Sequence, residues 1–233
     1  MNSFNLALKS YSWFIENSFV ALKLLFVIFL VSIPIAWEQA NPSSVIVLIV
    51  VYPVWLIVNS AVMIQLHRFI LLDLDTNEIR FLEKPKKSTF IYLGYWILIT
   101  ATERAYSILI EYIPIDNALS MLAVLFIVAL ISFILFKAYM VFPATALGKG
   151  FNFAWALSRG AEKHLFLSTI ILILLMIPLA IVMTFILALS PPSEFFSFLV
   201  GYFVTVLFLF IFNVHYSLLF KLFTEKQTKR DRS

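Results

Sequence analysis

Leu165–Ser193 reads LFLSTIILILLMIPLAIVMTFILALSPPS, 29 residues without an Asp, Glu, Lys or Arg. A bilayer's hydrocarbon core is about 30 Å thick, and a helix rising about 1.5 Å per residue needs about 20 apolar residues to cross it. This stretch is long enough, and it sets the reading of the rest. Phe195–Phe220 follows it, also without a charge, and Gln39–Gln65 and Asn117–Phe136 match the pattern earlier in the chain. Leu24–Trp37 is shorter, but Lys23 can snorkel to the interface and extend it back to Val20. Thr89–Ile110 completes the set, interrupted by Glu103 and Arg104. The sequence thus predicts an all-α polytopic membrane bundle of six spans in three hairpins. The spans are placed at about 20–37, 44–66, 89–110, 117–137, 165–189 and 195–220, with a polar tail at 222–233.

Composition agrees with this reading. The chain is 62% hydrophobic and 13% charged, where a soluble domain carries about 25% charged residues. A water-soluble globular enzyme, a disordered chain and a nucleic-acid-binding domain are excluded. No cysteine is present, so thiolate metal sites, disulfides and a Cys nucleophile are excluded too. Gly148 and Gly150 flank Lys149 without forming a phosphate-binding loop.

Charge placement gives an orientation. Sixteen of the 17 basic residues fall on one side of the six spans together with eight acidic ones, net +8. The other side holds Glu38, Glu103, Glu111, Asp116 and Glu194 against Arg104, net −4. Lys and Arg concentrate on the cytoplasmic face, so both termini are expected inside, in a bacterial cytoplasmic (inner) membrane. The first span reads as a retained helix, because about 19 residues precede its apolar core and no A-x-A-like cleavage site follows. The external connections are short and carry Pro42, Pro114 and the Pro191-Pro192 pair, suited to turns.

The inner side carries the polar surface. In Ser3–Ser18, Phe4, Leu8, Tyr11 and Ile15 recur at helical spacing and read as an interfacial helix, as does Phe151–Leu165. Leu72–Lys87 holds eight charges in 16 residues. Phe4-Asn5-Leu6-Ala7 and Phe151-Asn152-Phe153-Ala154 each introduce such a segment, which is weak support for an internal repeat.

Glu103 and Arg104 stand out because ionisable residues within a span are costly and point to function. Thr100, Glu103, Ser107 and Glu111 share a helical face with Arg104 at its edge, a polar stripe that could line a solute or proton path. The blander reading, a helix leaving the hydrocarbon early with Arg104 snorkelling, is favoured. Pro53 and Pro178 near mid-membrane fit compensated kinks better than broken transporter helices. Asn59, Ser60 and Gln65 on span two and Asn213 and His215 on span six read as interhelical hydrogen-bonding groups. They would form one cluster only if those spans adjoin. His67 reads as interfacial. Asp73, Asp75 and Glu78 could hold Mg²⁺, but a solvated loop balanced by Lys84, Lys86 and Lys87 is the better reading. No G-x-S-x-G or His-Glu-x-x-His pattern occurs.

His67-Arg68-Phe69-Ile70-Leu71-Leu72 is similar to the His-Arg-Phe-Val-Leu-Leu run of uncharacterised bacterial six-helix integral membrane proteins. Phe142-Pro143-Ala144-Thr145-Ala146-Leu147-Gly148, followed by Phe153-Ala154-Trp155-Ala156-Leu157-Ser158-Arg159-Gly160, resembles the same group. More loosely, it resembles the membrane domain of glycerophosphodiester phosphodiesterases. The resemblance implies that Pro143 ends the fourth helix, that Gly148 and Gly150 allow the turn and that Gly160 caps a short helix. No phosphodiesterase domain is present, so that activity does not transfer. The expectation is a non-enzymatic scaffold or accessory protein without cofactor or metal. Its expected partners are the lipid bilayer and a membrane or cytoplasmic protein at the basic inner face, with no nucleic acid. The alternative is a small-solute or lipid transporter using the stripe in span three.

Overall fold

The structure, a computed structural model, describes residues 2–40, 47–74, 86–111, 117–148, 163–189 and 194–230. Every regular element among them is helical: α1 (Ser3–Glu16), α2 (Ser18–Ala40), a π-helical turn (Val47–Val51) running into α3 (Tyr52–Leu72), α4 (Lys87–Glu111), α5 (Ala118–Ala138), α6 (Val141–Ala146), α7 (Lys163–Leu189) and α8 (Glu194–Arg230). Phe151–Gly160, Asp75, Glu78, Lys84, the turns carrying Pro42, Pro114, Pro191 and Pro192, and the side chains of Arg104, Ser107 and Glu111 lie outside the described residues.

Four of these helices are long and apolar enough to cross a membrane: Ser18–Ile35, Ile49–Leu72, Phe166–Ile186 and Glu194–Thr224. A shorter apolar segment, Ser120–Leu135, lies in α5. Large apolar side chains cover the exterior, among them Phe19, Phe26, Phe126, Leu174 and Phe185, each more than half exposed. A surface this apolar is compatible with lipid contact and unsuited to water. Among the described residues the chain is all-helical, and it is a membrane-embedded protein.

Local chemistry sets the helix ends. Asn2 Oδ1 accepts the Asn5 N–H at 2.8 Å and starts α1. Asn117 and Ser120 form a reciprocal capping box at the start of α5. Pro53 has no N–H and its ring crowds the carbonyl four residues back, and the backbone just upstream adopts the π register Val47–Val51. At the other end of α3, Asp73 takes a left-handed conformation (φ 48°) and its N–H returns to Phe69 O. Gly148, at φ 68°, stops α6, its N–H bonded to Thr145 O at 2.9 Å. Pro143 does not end the fourth long helix as expected. α5 stops at Ala138, and Pro143 sits in the first turn of α6, where a missing N–H leaves no intrahelical bond unmade.

α8 is the central helix, packed against α1, α2, α3, α6 and α7, while α5 touches only α4 and α7 among the larger contacts. α2 runs antiparallel to α8, with Trp37 against Phe195 and Phe29 against Phe203. α3 runs parallel to α8, since His67 meets Ser217 and Asp73 meets Lys221. Lys9, Asp73 and Lys221 therefore gather at one end, the basic end, far from the Trp37–Phe195 pair. Lipid is as apolar as Leu, so helix association here depends on close packing and interhelical hydrogen bonds. Phe210, Phe220, Leu24, Ile28 and Leu66 supply the packing, each fully buried.

Candidate functional site: a buried histidine network

α3 and α8, which carry Asn59, Ser60, Asn213 and His215, do adjoin, and this brings polar residues of α3, α4 and α8 into one network. His67, fully buried, lies within 2.6 Å of Ser217 Oγ through Nδ1 and 3.2 Å of the Tyr92 hydroxyl through Nε2. Tyr92 donates to Asn213 Oδ1 at 3.1 Å, Asn213 Nδ2 donates to Leu209 O at 2.7 Å, and Ser217 Oγ reaches Asn213 O at 2.8 Å. Burial of His67 corrects its reading as an interfacial residue: Tyr92 and Ser217 satisfy both ring nitrogens, so the imidazole does not need water.

Each hydroxyl has one proton to donate, and a neutral imidazole has one N–H. Two proton orders are therefore consistent with these distances. In one, Ser217 donates to His67 Nδ1, Nε2–H donates to Tyr92, and Tyr92 donates to Asn213 Oδ1. In the other, Ser217 donates to Asn213 O, Nδ1–H donates to Ser217, and Tyr92 donates to Nε2. The second deprives buried Asn213 Oδ1 of its Tyr92 donor. The first leaves unused only a spare lone pair on a helix carbonyl, so it is the better satisfied order.

A second histidine joins α8 to two other helices. His215 Nδ1 lies 2.8 Å from Ser10 Oγ of α1, and Nε2 lies 3.2 Å from Ser168 Oγ and 3.4 Å from Thr169 Oγ1 of α7. Ser10 Oγ also lies 2.8 Å from Leu6 O, its own helix carbonyl four residues back, the arrangement Ser217 has with Asn213 O. One face of α1 (Leu6, Ala7, Ser10, Trp13) is buried against the bundle, and Phe4, Leu8 and Ile15 are exposed.

Toward mid-membrane, Asn59 Oδ1 and Ser60 Oγ are buried without a protein partner. Together with Tyr92, Tyr139 and Asn213 they line a cavity of about 20 Å³, large enough for one water. Tyr139 in turn donates to Glu103 Oε1 at 2.9 Å and stacks on Tyr216 with ring centroids 5.4 Å apart. The half-buried Glu103 carboxylate thus faces protein. The inward face of α4 carries Thr89, Tyr92, Trp96, Ile99 and Glu103, at helical spacing, while Thr100 is exposed. Of the polar stripe read from the sequence, Glu103 alone is placed in a described contact.

The first motif and the described part of the second, Phe142–Gly148, pack against each other. Arg68 Nε donates to Ala146 O at 2.8 Å, closing the C-terminus of α6. Phe142 meets the Tyr92 ring with centroids 4.6 Å apart. Their shared chemistry is thus the docking of α6 onto α3 and α4. Asp73 forms an ion pair with Lys221 at 2.6 Å. No three His, Asp or Glu side chains come together as a metal site among the described residues.

Tyr92, Ser217, Ser10, Ser168 and Tyr139 were not singled out by the sequence. Tyr, Ser and Thr within a span are ordinary, and the partners lie 25, 150 and 205 residues apart in His67–Tyr92, His67–Ser217 and Ser10–His215. The available signal was His215 inside the uncharged run Phe195–Phe220, a polar group that must find a partner. Fold and site together define a helical membrane protein bound together by buried histidines. No protein family, curated protein or solved structure matches the chain.

Proposed function

We propose that the chain is a six-span integral membrane protein of the bacterial cytoplasmic membrane, with both termini inside. In this reading α4 and α5 form the third and fourth spans. Its role is non-enzymatic, that of a scaffold or accessory protein acting through its basic inner face. One observation carries this reading: the two buried histidines and Glu103 are each bonded to side chains of neighbouring segments. His67 is held by Ser217 and Tyr92, His215 by Ser10 and α7, and Glu103 by Tyr139. Groups that carry a solute past a membrane must exchange partners with it, whereas these are engaged in fixing five helices relative to one another.

A second reading, proton or small-solute transport, draws on Asn59 and Ser60, whose oxygens face the cavity of about 20 Å³ below Tyr139. One experiment separates the two. The purified chain is reconstituted into vesicles, and proton and solute uptake are followed against empty vesicles. Scaffolding expects the two to be equal. Uptake above empty vesicles that Glu103→Gln abolishes, with folding intact, favours transport and overturns the scaffold.

A further inference from the structure

A second cavity lies away from the histidines, at the basic end. About 470 Å³ opens between α1, the C-terminus of α3 and α8. Its walls are of two kinds. Trp13, Phe69 and Leu218 line it as apolar surface, and Lys9, Asp73 and Lys221 line it as charge. The apolar stretch of α3 ends at Leu72 and that of α8 at Thr224, so the cavity sits where two spans leave the hydrocarbon. Tryptophan is enriched at that depth, with the ring toward the acyl boundary and the N–H toward water.

The charges have unequal tasks. Lys221 Nζ bonds both Asp73 oxygens, at 2.6 and 2.7 Å, and reaches Ile70 O at 3.5 Å, closing the end of α3. Asp73 neutralises it. Lys9 also lines the cavity, is exposed, and has no ion pair among the described residues. Two ammonium groups against one carboxylate leave a surplus of one positive charge, the complement of a single phosphodiester.

We propose that this cavity binds the headgroup of an anionic phospholipid from the leaflet at the basic end. Lys9 meets the phosphodiester, and Trp13, Phe69 and Leu218 take the start of the acyl chains, while Lys221 stays paired with Asp73. The site requires only α1, α3 and α8, and it holds whether the protein scaffolds or transports.

The test uses the full chain in detergent, titrated with phosphatidylglycerol, with phosphatidylcholine of the same chains, and with inorganic phosphate. Binding is read by native mass spectrometry and calorimetry. Phosphatidylglycerol is expected to bind about tenfold more tightly than phosphatidylcholine, and Lys9→Gln to weaken it about tenfold, as loss of one charge-assisted contact does. Asp73→Asn moves the other way. Asn tolerates the left-handed conformation at position 73 and frees Lys221 for the phosphate, so phosphatidylglycerol binds more tightly. Equal binding of the two lipids, an unchanged Lys9→Gln variant, or weaker binding in Asp73→Asn overturns the proposal. Saturation by inorganic phosphate at the affinity of phosphatidylglycerol would assign the site to soluble phosphate and overturn the lipid.

Discussion

Tyr92→Phe deletes one oxygen and keeps the ring, so the contact with Phe142 at 4.6 Å survives. The lost hydroxyl takes with it the bond to Asn213 at 3.1 Å and that to His67 at 3.2 Å. In membrane bundles an interhelical hydrogen bond contributes on average about 0.6 kcal/mol, which sets a floor of about 1 kcal/mol for two. A buried group left unsatisfied costs about 1–3 kcal/mol. Tyr92→Phe is therefore expected to destabilise by about 1–3 kcal/mol in equilibrium unfolding from mixed micelles. The sharper observable is coupling. In the Tyr92→Phe, His67→Leu double variant the imidazole no longer lacks a partner, so the combined loss falls short of the sum by about 1 kcal/mol. Additivity within about 0.3 kcal/mol would refute the network, since two residues sharing a hydrogen bond cannot act independently.

Tyr139→Phe removes the donor to Glu103 and is expected to cost about 1–2 kcal/mol in the same assay, toward the lower end because the carboxylate is only half-buried. Glu103→Gln keeps an acceptor for Tyr139 and should cost less; the reverse order would contradict the bond. Gly148 has open space around an added Cβ, so Gly148→Ala reports backbone strain alone. At φ 68° it is expected to lower stability by about 1 kcal/mol, and a neutral result would remove the left-handed turn after α6. The chain has no cysteine, which makes topology mapping direct. Impermeant maleimide added outside cells should label Asn41→Cys and Ser193→Cys but not Ser3→Cys or Ser233→Cys, and any other pattern rejects six spans with termini inside.

Helices were more legible than their partners. The run that became α7 and the one that became α8 could be read because a long uncharged stretch has one stable fate in lipid. α3 was legible too, and Pro53 marked the place of its π turn. The facing of α1 was not. Phe4, Leu8 and Ile15, read as the apolar stripe of an interfacial helix, are exposed; the sequence did not show that the opposite face, with Ala7 and Ser10, packs into the bundle. Small and polar groups face inward where lipid solvates the apolar ones. Glu103 was conspicuous as an intramembrane charge, but its partner Tyr139 lies just past the end of α5, at a turn no periodicity announces. His67 was misread because its neighbour Arg68 suggested an interface. Arg68 instead turns to Ala146 O, and His67, one residue earlier, points into the bundle.

The polar groups inside the bundle hold helices together and are expected to open to neither aqueous phase. Asn59 is the direct probe, 2% exposed and beside the cavity that Tyr139 and Tyr92 line. Asn59→Cys in sealed, oriented vesicles is exposed to an impermeant thiol reagent from each side in turn. The account expects no labelling from either side and full labelling once the protein is unfolded in detergent. Labelling of the folded protein from one side would mean that water reaches the network, and the account would be wrong.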